Sequence, residues 1–429
     1  MTTFHDRLAD LAEQAPSGGP PGELWATGVR LQRRRRLGTA VIVGAAVVAL
    51  MLLAGLGLAR MPEDAQPVAP RDGLGIPDRF YRWDGLPSTR ETGPVGPLVA
   101  VVPEPGQAHG VLTNGEHVEL VLPDAAISDD PLRDRFPAVS ADGTMLAYWI
   151  GDGARVDGLG VWDAVTGDAY RFEVPSEYGL QVDLSTLLWT GDWVRFDVWR
   201  SSADGGFDGL PEKTVVWKPR TDDRVTRDRD VPYWTDYDNS AWGNYLVRQA
   251  SGEVSRVAPD GKSEVIARFD PGERVLGPLH LDEAGSLAAG LRRVFNGEGA
   301  DGQFPLVVLD VPGTESAGPV QVREVPGRVA RNVQGVLGWR DDSHVVVLRT
   351  AKGSLRLLSV DVGTGEAEQL SVIDSSTPVL ARDSLSAPVF EAPAPPPSAP
   401  SRGPLLAAGL GVCAIAVTAV FWWRRRALR

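Results

Sequence analysis

Apolar and polar residues alternate through much of the stretch from Asp78 to Phe390, as they do in β-strands. Val194 and Phe196, for example, alternate with Arg195 and Asp197. Successive side chains of a strand point to opposite faces of a sheet, so a period of two predicts strands. No amphipathic helical pattern interrupts the stretch. We therefore predict an all-β domain over residues 78–390.

Short turns rich in glycine and aspartate recur through this domain at intervals of roughly 40 to 55 residues. Glycine and aspartate supply the positive φ that hairpin turns need. The six recurring turns contain Gly115, Gly167, Asp222, Gly261, Gly313 and Gly365. A second turn precedes four of them, at 139–143, 189–192, 280–285 and 339–343. Two hairpins per repeat make four antiparallel strands, which is one blade of a β-propeller. Six copies favour six blades, and seven are open because residues 76–102 or 379–390 can supply further strands.

One repeat is clear enough to compare with a known family. Residues 136–148 read FPAVSADGTMLAY, and residues 159–168 read LGVWDAVTGD. A Ser-x-Asp-Gly turn before an apolar strand resembles the repeat of TolB-type, WD-repeat-like β-propellers. The resemblance implies a propeller fold. It also implies a platform that binds peptides or other proteins on one face or in the central channel.

Two long apolar stretches flank the β-rich domain, and arginines border each on the side nearer the chain terminus. Leu37–Ala59 follows Arg33–Arg36, and Gly403–Trp423 precedes Arg424–Arg426. About 20 apolar residues span the roughly 30 Å hydrocarbon core as a helix. Arginine is retained on the cytoplasmic side. We predict two membrane spans, cytoplasmic termini and a propeller outside the cell membrane. The alternative for the first stretch is a cleaved signal sequence, although such apolar regions usually have about 7–15 residues.

These patterns predict seven segments. They are a cytoplasmic leader with a short amphipathic helix (1–36), a first transmembrane helix (37–59), a linker (60–77), the extracytoplasmic propeller (78–390), a Pro-rich linker (391–402), a second transmembrane helix (403–423) and a basic cytoplasmic tail (424–429).

Composition narrows the choice of partner. The chain has 43 basic and 56 acidic side chains and a net charge of −13. Because the leader and the tail are net basic, the part outside is more acidic still, and nucleic acid is not an expected partner. The only cysteine, Cys413, lies in the second apolar stretch, so a disulfide is not expected outside. Arginine far outnumbers the four lysines, which is typical of a high-GC, actinobacterial genome.

The sequence offers little that points to catalysis or to a metal. It contains no G-x-S-x-G nucleophile motif. His109, His117, His280 and His344 have no metal-binding spacing, and we interpret them as solvated or strand-paired. The carboxylates at 236–240 and 296–301 lack the pattern of a calcium loop. We therefore predict no cofactor, metal or catalytic residue. The mixed-charge run at 222–230 is interpreted as a solvated loop.

Aromatic residues crowd the segment 233–245, where the repeat is hard to follow. Trp234, Tyr237 and Trp242 are the candidate binding residues, because exposed aromatics dominate binding surfaces. Packing between blades is the alternative explanation. The leading functional prediction is a non-enzymatic binding or scaffolding module for a protein, peptide or glycan. A hydrolase or lyase that uses channel carboxylates is the alternative, and a domain that only spaces a membrane complex is a third possibility.

Overall fold

The structure, a computed structural model, describes residue 13 and most of residues 73–393. Within 73–393 it leaves out 83–88, 92, 105–106, 127–136, 152–155, 181–186, 203–211, 229–237, 243–244, 251–252, 271–274, 293–303, 313–318, 332, 352 and 375. Both predicted membrane spans and the basic tail lie outside the described residues, as do the Pro-rich linker beyond Pro393 and nearly all of the leader. In the described part of the chain, no helix has the length and apolarity needed to cross a membrane.

Strands account for nearly all the regular structure of the described residues, which also include a 3-10 helix at Arg382–Ser384. In chain order the first fifteen strands are β1 (Ile76–Pro77), β2 (Arg79–Phe80), β3 (Thr89–Glu91), β4 (Leu98–Glu104), β5 (Gln107–Leu112), β6 (His117–Leu120), β7 (Ala138–Val139), β8 (Met145–Gly151), β9 (Val156–Asp163), β10 (Ala169–Glu173), β11 (Tyr178–Leu180), β12 (Leu188–Thr190), β13 (Trp193–Arg200), β14 (Lys213–Lys218) and β15 (Asp223–Asp228). The others are β16 (Asp238–Trp242), β17 (Tyr245–Ala250), β18 (Glu253–Val257), β19 (Ser263–Arg268), β20 (Val275–Leu281), β21 (Leu287–Arg292), β22 (Leu306–Asp310), β23 (Val322–Glu324), β24 (Gly335–Trp339), β25 (His344–Ala351), β26 (Ser354–Asp361), β27 (Ala367–Ile373), β28 (Val379–Leu380) and β29 (Val389–Phe390).

The described strands form six sheets of four or five strands and one two-stranded sheet. Sheet 1 has the order β28-β4-β5-β6-β3, and sheet 2 contains β7 to β10. In sheet 3, β11 and β12 both pair with β13, and β14 and β15 follow. Sheet 4 contains β16 to β19, sheet 5 contains β20 to β23, and sheet 6 has the order β24-β25-β26-β27-β2. The remaining sheet is a parallel pair of β1 and β29. The all-β prediction is confirmed.

The predicted hairpin turns join strands as expected. The six recurring turns connect the third and fourth strands of the six sheets, and the four preceding turns connect the first and second strands. Five of the recurring turns have their central residue described, and φ there is positive, between 57° and 83°. Those five residues are Gly115, Gly167, Asp222, Gly261 and Gly365. Asp222 shows that aspartate can take the left-handed conformation that glycine takes elsewhere.

The antiparallel order of the strands gives each sheet two different ends. Turns between the first and second strands, and between the third and fourth, lie at one end, while the turn between the second and third lies at the other. We call the end that carries the recurring turns the turn face. At this end Gly143 of sheet 2 accepts a hydrogen bond from the amide of Leu98 in sheet 1, so the turns of neighbouring sheets meet there.

Strands in the middle of a sheet are buried on both faces because another sheet packs on each side. In β8, Leu146 and Tyr148 pack in a core shared with sheet 1, while Ala147 and Trp149 pack in a core shared with sheet 3. Fully burying one large apolar side chain stabilises a fold by roughly 1.5–3 kcal/mol. Packing between sheets is therefore a main source of stability, and a sheet without its neighbours would expose apolar residues on both faces.

The sheets pack against one another in chain order and return to the start. Apolar cores lie between sheets 1 and 2, 2 and 3, 4 and 5, 5 and 6, and 6 and 1. Sheets 3 and 4 meet where β12 contacts β16. This closed arrangement of twisted antiparallel sheets is a β-propeller.

Both ends of the described chain take part in closing the ring. Strand β2 adds an outer strand to sheet 6, parallel to β27. Strand β28 adds the inner strand of sheet 1, antiparallel to β4. The pair of β1 and β29 then holds the two ends together, and the amide of Ala392 donates to Oδ1 of Asp78 at 2.8 Å. Strand β1 falls inside the segment 60–77 that the sequence predicted as a linker.

Candidate functional site

A cleft of about 250 Å³ lies on the turn face between sheets 2 and 3. It is formed by the β7–β8 turn, the β12–β13 turn, the β14–β15 turn and the 3-10 helix after β28. The residues that line it are Ser140, Ala141, Asp142, Thr144, Met145, Trp189, Gly191, Asp192, Lys218, Pro219, Arg220 and Asp383. Turns of sheets 2 and 3 and the 3-10 helix that follows a strand of sheet 1 therefore contribute to one concave surface.

The carboxylate of Asp142 is fixed by its own turn. Its Oδ1 accepts hydrogen bonds from the hydroxyl of Ser140 at 2.6 Å and from the amide of Thr144 at 3.0 Å. The hydroxyl of Ser140 in turn accepts a bond from the amide of Met145 at 2.9 Å. Burial raises the pKa of Asp142, but the hydrogen bonds from Ser140 and Thr144 outweigh burial, so its pKa lies below the ordinary value. Asp142 is thus an anion at neutral pH.

Arg220 is held in the cleft by a carboxylate behind it. Asp163, whose side chain is 1% exposed, accepts hydrogen bonds from Nη2 of Arg220 at 2.7 Å and from the amides of Val165 and Thr166. Burial raises the pKa of Asp163, but the hydrogen bonds from Arg220 and from the two amides lower it by more than burial raises it. The pKa of Asp163 therefore lies below its ordinary value. The pKa of Arg220 is raised by the same bond. The pair therefore stays charged and positions a guanidinium at the cleft.

Lys218 and Asp192 form an ion pair on the sheet 3 side of the cleft. Their Nζ and Oδ2 atoms are 3.0 Å apart, and the ammonium lies 6.0 Å from the ring centre of Trp193. Trp189 supplies an apolar part of the lining and is itself fixed by a hydrogen bond from Nε1 to the carbonyl of Ala138 at 2.7 Å.

Negative charge exceeds positive charge around the cleft. Lys218 is balanced by Asp192, and Arg220 by Asp163. Asp142 and Asp383 also line the cleft, and the Asp142 carboxylate accepts hydrogen bonds from neutral donors, the hydroxyls of Ser140 and Thr144 and the amide of Thr144. The cleft can attract a positively charged group and accept hydrogen bonds from it. Met145 and Trp189 can contact the aliphatic part of the side chain that carries this group.

The structure describes only one of the three predicted binding residues. Trp234 and Tyr237 lie outside the described residues. Trp242 is the last residue of β16, the first strand of sheet 4, and its backbone pairs with Tyr245. The end of the segment 233–245 therefore continues the repeat as a strand. Because Trp242 directly precedes the connection to β17, it lies at the turn-face end of sheet 4.

All four of the predicted solvated or strand-paired histidines lie in strands, and His109 is a core residue. His109 in β5 has no exposed surface, so solvation is wrong for it and strand pairing is right. Burial lowers the pKa values of His109, His117 and His280 to about 4, and His117 lowers that of His109 further. All three are neutral at pH 7. Across the described residues, no group of three or more His, Cys, Asp or Glu is arranged for a metal ion.

The mixed-charge run at 222–230 was interpreted wrongly as a loop. Residues Asp223–Asp228 form β15, the outer strand of sheet 3, and its side chains are exposed or half-buried. Charge on an edge strand prevents another chain from pairing with it. The polar composition of the run reflects this edge position.

Carboxylates buried in the described residues serve local structure. Besides Asp163, they are Asp197 and Asp282. Asp197 accepts a bond from the hydroxyl of Thr214 at 2.7 Å, and Asp282 accepts bonds from the amide of Ser286 and from its hydroxyl. These three carboxylates belong to sheets 2, 3 and 5. Each stabilises a turn or a strand pair, and Asp163 in addition binds Arg220 of the next sheet.

The sequence analysis missed the cleft. Lys218 and Arg220 stand in a turn that was recognised only as a repeat marker, and Asp192 stands in another. Asp383 is far from both in the sequence. A local signal was present, because both cations of the cleft fall within one short turn of an acidic domain. No pattern along the chain indicates that turns of sheets 2 and 3 meet the 3-10 helix after β28.

Comparison with known proteins adds solved structures of similar shape. TolB from Acinetobacter baumannii is 14% identical, with 66% of this chain and 65% of that chain covered and a TM-score of 0.41. This chain thus spans less than two thirds of TolB. The β-propeller domain of the Trilobed protease from Pyrococcus furiosus is 15% identical, covering 67% and 82% with a TM-score of 0.40. Oligogalacturonate lyase from Vibrio parahaemolyticus is 12% identical, covering 71% and 80% with a TM-score of 0.42. No protein-family model and no curated protein sequence matches the chain.

Proposed function

We propose that this protein is a membrane-anchored, extracytoplasmic β-propeller that binds a positively charged segment of a protein partner. The segments 37–59 and 403–423 are the anchors in this proposal, and both termini are cytoplasmic. The cleft between sheets 2 and 3 is the principal binding site. The turn-face end of sheet 4, with Trp242, is a proposed second contact, together with Trp234 and Tyr237.

The excess of carboxylates in the cleft carries the proposal. Asp142 and Asp163 both have lowered pKa values, so they are fixed anions. A carboxyl that acts as a general acid at neutral pH needs a raised pKa. In the described residues, every aspartate with a shifted pKa is shifted down. This favours binding over the hydrolase or lyase alternative.

We further propose that each sheet of four or five strands is one blade, which gives six blades. Support comes from the six recurring turns and from the return of sheet 6 to sheet 1. A ring closed by strands from both ends holds the turns of different sheets in fixed positions, so the cleft is pre-formed. Preformed sites lose little conformational entropy on binding.

The test is a binding titration on the full chain in detergent micelles. The probe is a fluorescent Gly-Ser peptide with two arginines, compared with the same peptide carrying glutamines. We expect the arginine peptide to bind at least about fivefold more tightly, since one favourable charge contact of about 1 kcal/mol gives that ratio. Asp383→Asn should remove most of the difference.

Asp157→Asn is the matched control, because it makes the same charge change near the other end of sheet 2, where Asp157 is exposed. It should leave the arginine preference intact. Equal binding of the two peptides, or equal effects of the two substitutions, would refute the cleft as the binding site.

A further inference from the structure

One acidic residue of the cleft belongs to the last described part of the chain. Residues 379–392, which we call the closing segment, contain β28, the 3-10 helix and β29. Asp383 lies in this 3-10 helix and lines the cleft, and its amide donates to the carbonyl of Ala141 at 2.9 Å. The other lining residues belong to strands and turns of sheets 2 and 3. The cleft is therefore complete only when the closing segment is in place.

Few backbone pairs hold the closing segment. β28 pairs with β4 at two positions and β29 pairs with β1 at two positions, whereas β25 and β26 pair at eight. The amide of Ala381 also donates to the carbonyl of Val99 at 2.9 Å, and the amide of Ala392 donates to Oδ1 of Asp78 at 2.8 Å. Segments with few hydrogen bonds and contacts open locally at a lower free energy than the core of a fold.

Buried side chains fix the closing segment at places away from the cleft. Leu385 lies in the core between sheets 6 and 1, and a Cβ atom built at Gly338 of β24 would be 2.8 Å from its Cδ1 atom. Phe390 is buried as well, and a Cβ atom built at Gly115 of sheet 1 would be 2.9 Å from its Cε2 atom. The position of Asp383 thus depends on packing against sheets 1 and 6, which contribute no other residue to the cleft.

We infer that the closing segment regulates the cleft: the segment detaches from the ring as one unit, detachment removes Asp383 from the cleft, and a bound cationic peptide holds the segment in place. This inference rests on the proposed function, since it takes the cleft as a site for a cationic segment. A ligand that binds the attached state more tightly stabilises that state, and attachment raises the affinity for the ligand by the same factor.

Hydrogen–deuterium exchange of the full chain in detergent micelles tests the coupling. The two-arginine peptide is added at about 100 times its dissociation constant, and the glutamine peptide at the same concentration is the control. We expect the arginine peptide to slow amide exchange about fivefold at 386–392, because a ligand shifts an equilibrium only by the ratio of its affinities for the two states. The glutamine peptide, and the reference strand β19, should show changes below about twofold. Asp383→Asn should abolish the protection, and Asp157→Asn should keep it.

The position of the protected amides distinguishes regulation from simple shielding. Residues 386–392 do not line the cleft. Protection limited to 382–385 would show only that the peptide covers the cleft, and it would contradict the inference. Arginine-selective binding without protection at 386–392 would overturn the inference and leave the proposed function intact. Absence of arginine-selective binding would overturn both.

Two matched leucine variants test whether the segment detaches as one unit. Leu385 and Leu370 of β27 are both 1% exposed in the core between sheets 6 and 1. Leu385→Ala should speed exchange by at least about tenfold, and by the same factor, at Ala381 and at 386–392, because truncating a buried leucine leaves a cavity. Leu370→Ala should speed it less. Different factors at the two places, or equal acceleration by both variants, would overturn the inference. If Leu385→Ala does not fold, the peptide experiment on the unchanged chain decides.

Discussion

Two turns with the same D-x-x-T-G pattern, one in sheet 2 and one in sheet 6, are used differently. In both, the aspartate accepts hydrogen bonds from the amides two and three residues later, at 2.9 and 3.0 Å for Asp163 and at 2.9 and 2.7 Å for Asp361. Asp163 is buried and also binds Arg220 of the next sheet, whereas the side chain of Asp361 is 28% exposed. The same local motif therefore closes the turn in both sheets, and in sheet 2 it also positions Arg220 at the cleft.

The final glycines of the two turns also differ, and here the turn of sheet 6 is packed more closely against a neighbouring segment. A Cβ atom at Gly365 would overlap the carbonyl oxygen of Pro326, which is backbone and cannot move easily. A Cβ atom at Gly167 would lie 3.1 Å from Cδ and 3.2 Å from the backbone nitrogen of Pro94, which is a tight contact but not an overlap. Both glycines thus lie against a neighbouring segment, but the fit is closer at Gly365, whereas the aspartate reaches the next sheet in the turn of sheet 2.

The largest expected effect follows from the glycines. Gly365→Ala should destabilise the domain by about 2–5 kcal/mol, because a left-handed alanine costs about 1–2 kcal/mol and overpacking adds about 1–3 kcal/mol. Gly167→Ala should cost less. Gly353→Ala is the control, since its φ is also positive and nothing lies within 4 Å of the added atom. Urea unfolding of the full chain in micelles measures all three, and equal losses would contradict the difference between the turns.

For the aspartates we expect the reverse order, with a larger loss of stability in the turn of sheet 2 than in that of sheet 6. Asp163→Ala removes the turn bonds and the bond to Arg220, and we expect a loss of about 2–4 kcal/mol, as for buried hydrogen bonds to a charged group. Asp361→Ala should lose less because its carboxylate is partly solvated. The same urea titrations apply. A larger loss for Asp361→Ala would show that burial does not set the contribution of the turn aspartate to stability.

What the sequence could predict divides in the same way, between features set within one turn and features set by contacts between sheets. Hairpin positions and positive-φ turns were predictable because Asp, Gly and alternating residues act through neighbours in the chain. The buried state of His109, the edge position of β15 and the approach of Arg220 to Asp163 depend on which sheets meet. Those contacts join residues far apart in the sequence, and no pattern along one chain shows which of them meet. The cleft belongs to this second group.

The turn carboxylates and the buried histidine contribute to the pH dependence of stability in different pH ranges. The turn carboxylates have lowered pKa values, so their contribution persists until the pH falls below their ordinary value of 3.8. His109 titrates at 6.5 when unfolded and at about 4 when folded. The unfolded state therefore binds more protons between these values, and stability falls as the pH drops from 6.5 to 4. His117 and His280 titrate in the same window, so His109→Leu should reduce, but not abolish, the slope of the urea midpoint against pH. An unchanged slope would contradict the burial of His109 as a neutral side chain.

Peptide binding by two matched variants tests most directly whether only the sheet 2 turn serves a site. Asp163→Asn keeps an oxygen acceptor for the turn but removes the charge that balances Arg220. Asp361→Asn makes the same change in sheet 6. We predict that Asp163→Asn weakens binding of the two-arginine peptide about three- to tenfold, equivalent to about 1 kcal/mol, because the cleft becomes less negative. Asp361→Asn should stay within about twofold of the unchanged protein. Equal weakening by both variants, or by neither, would contradict the assignment of the cleft.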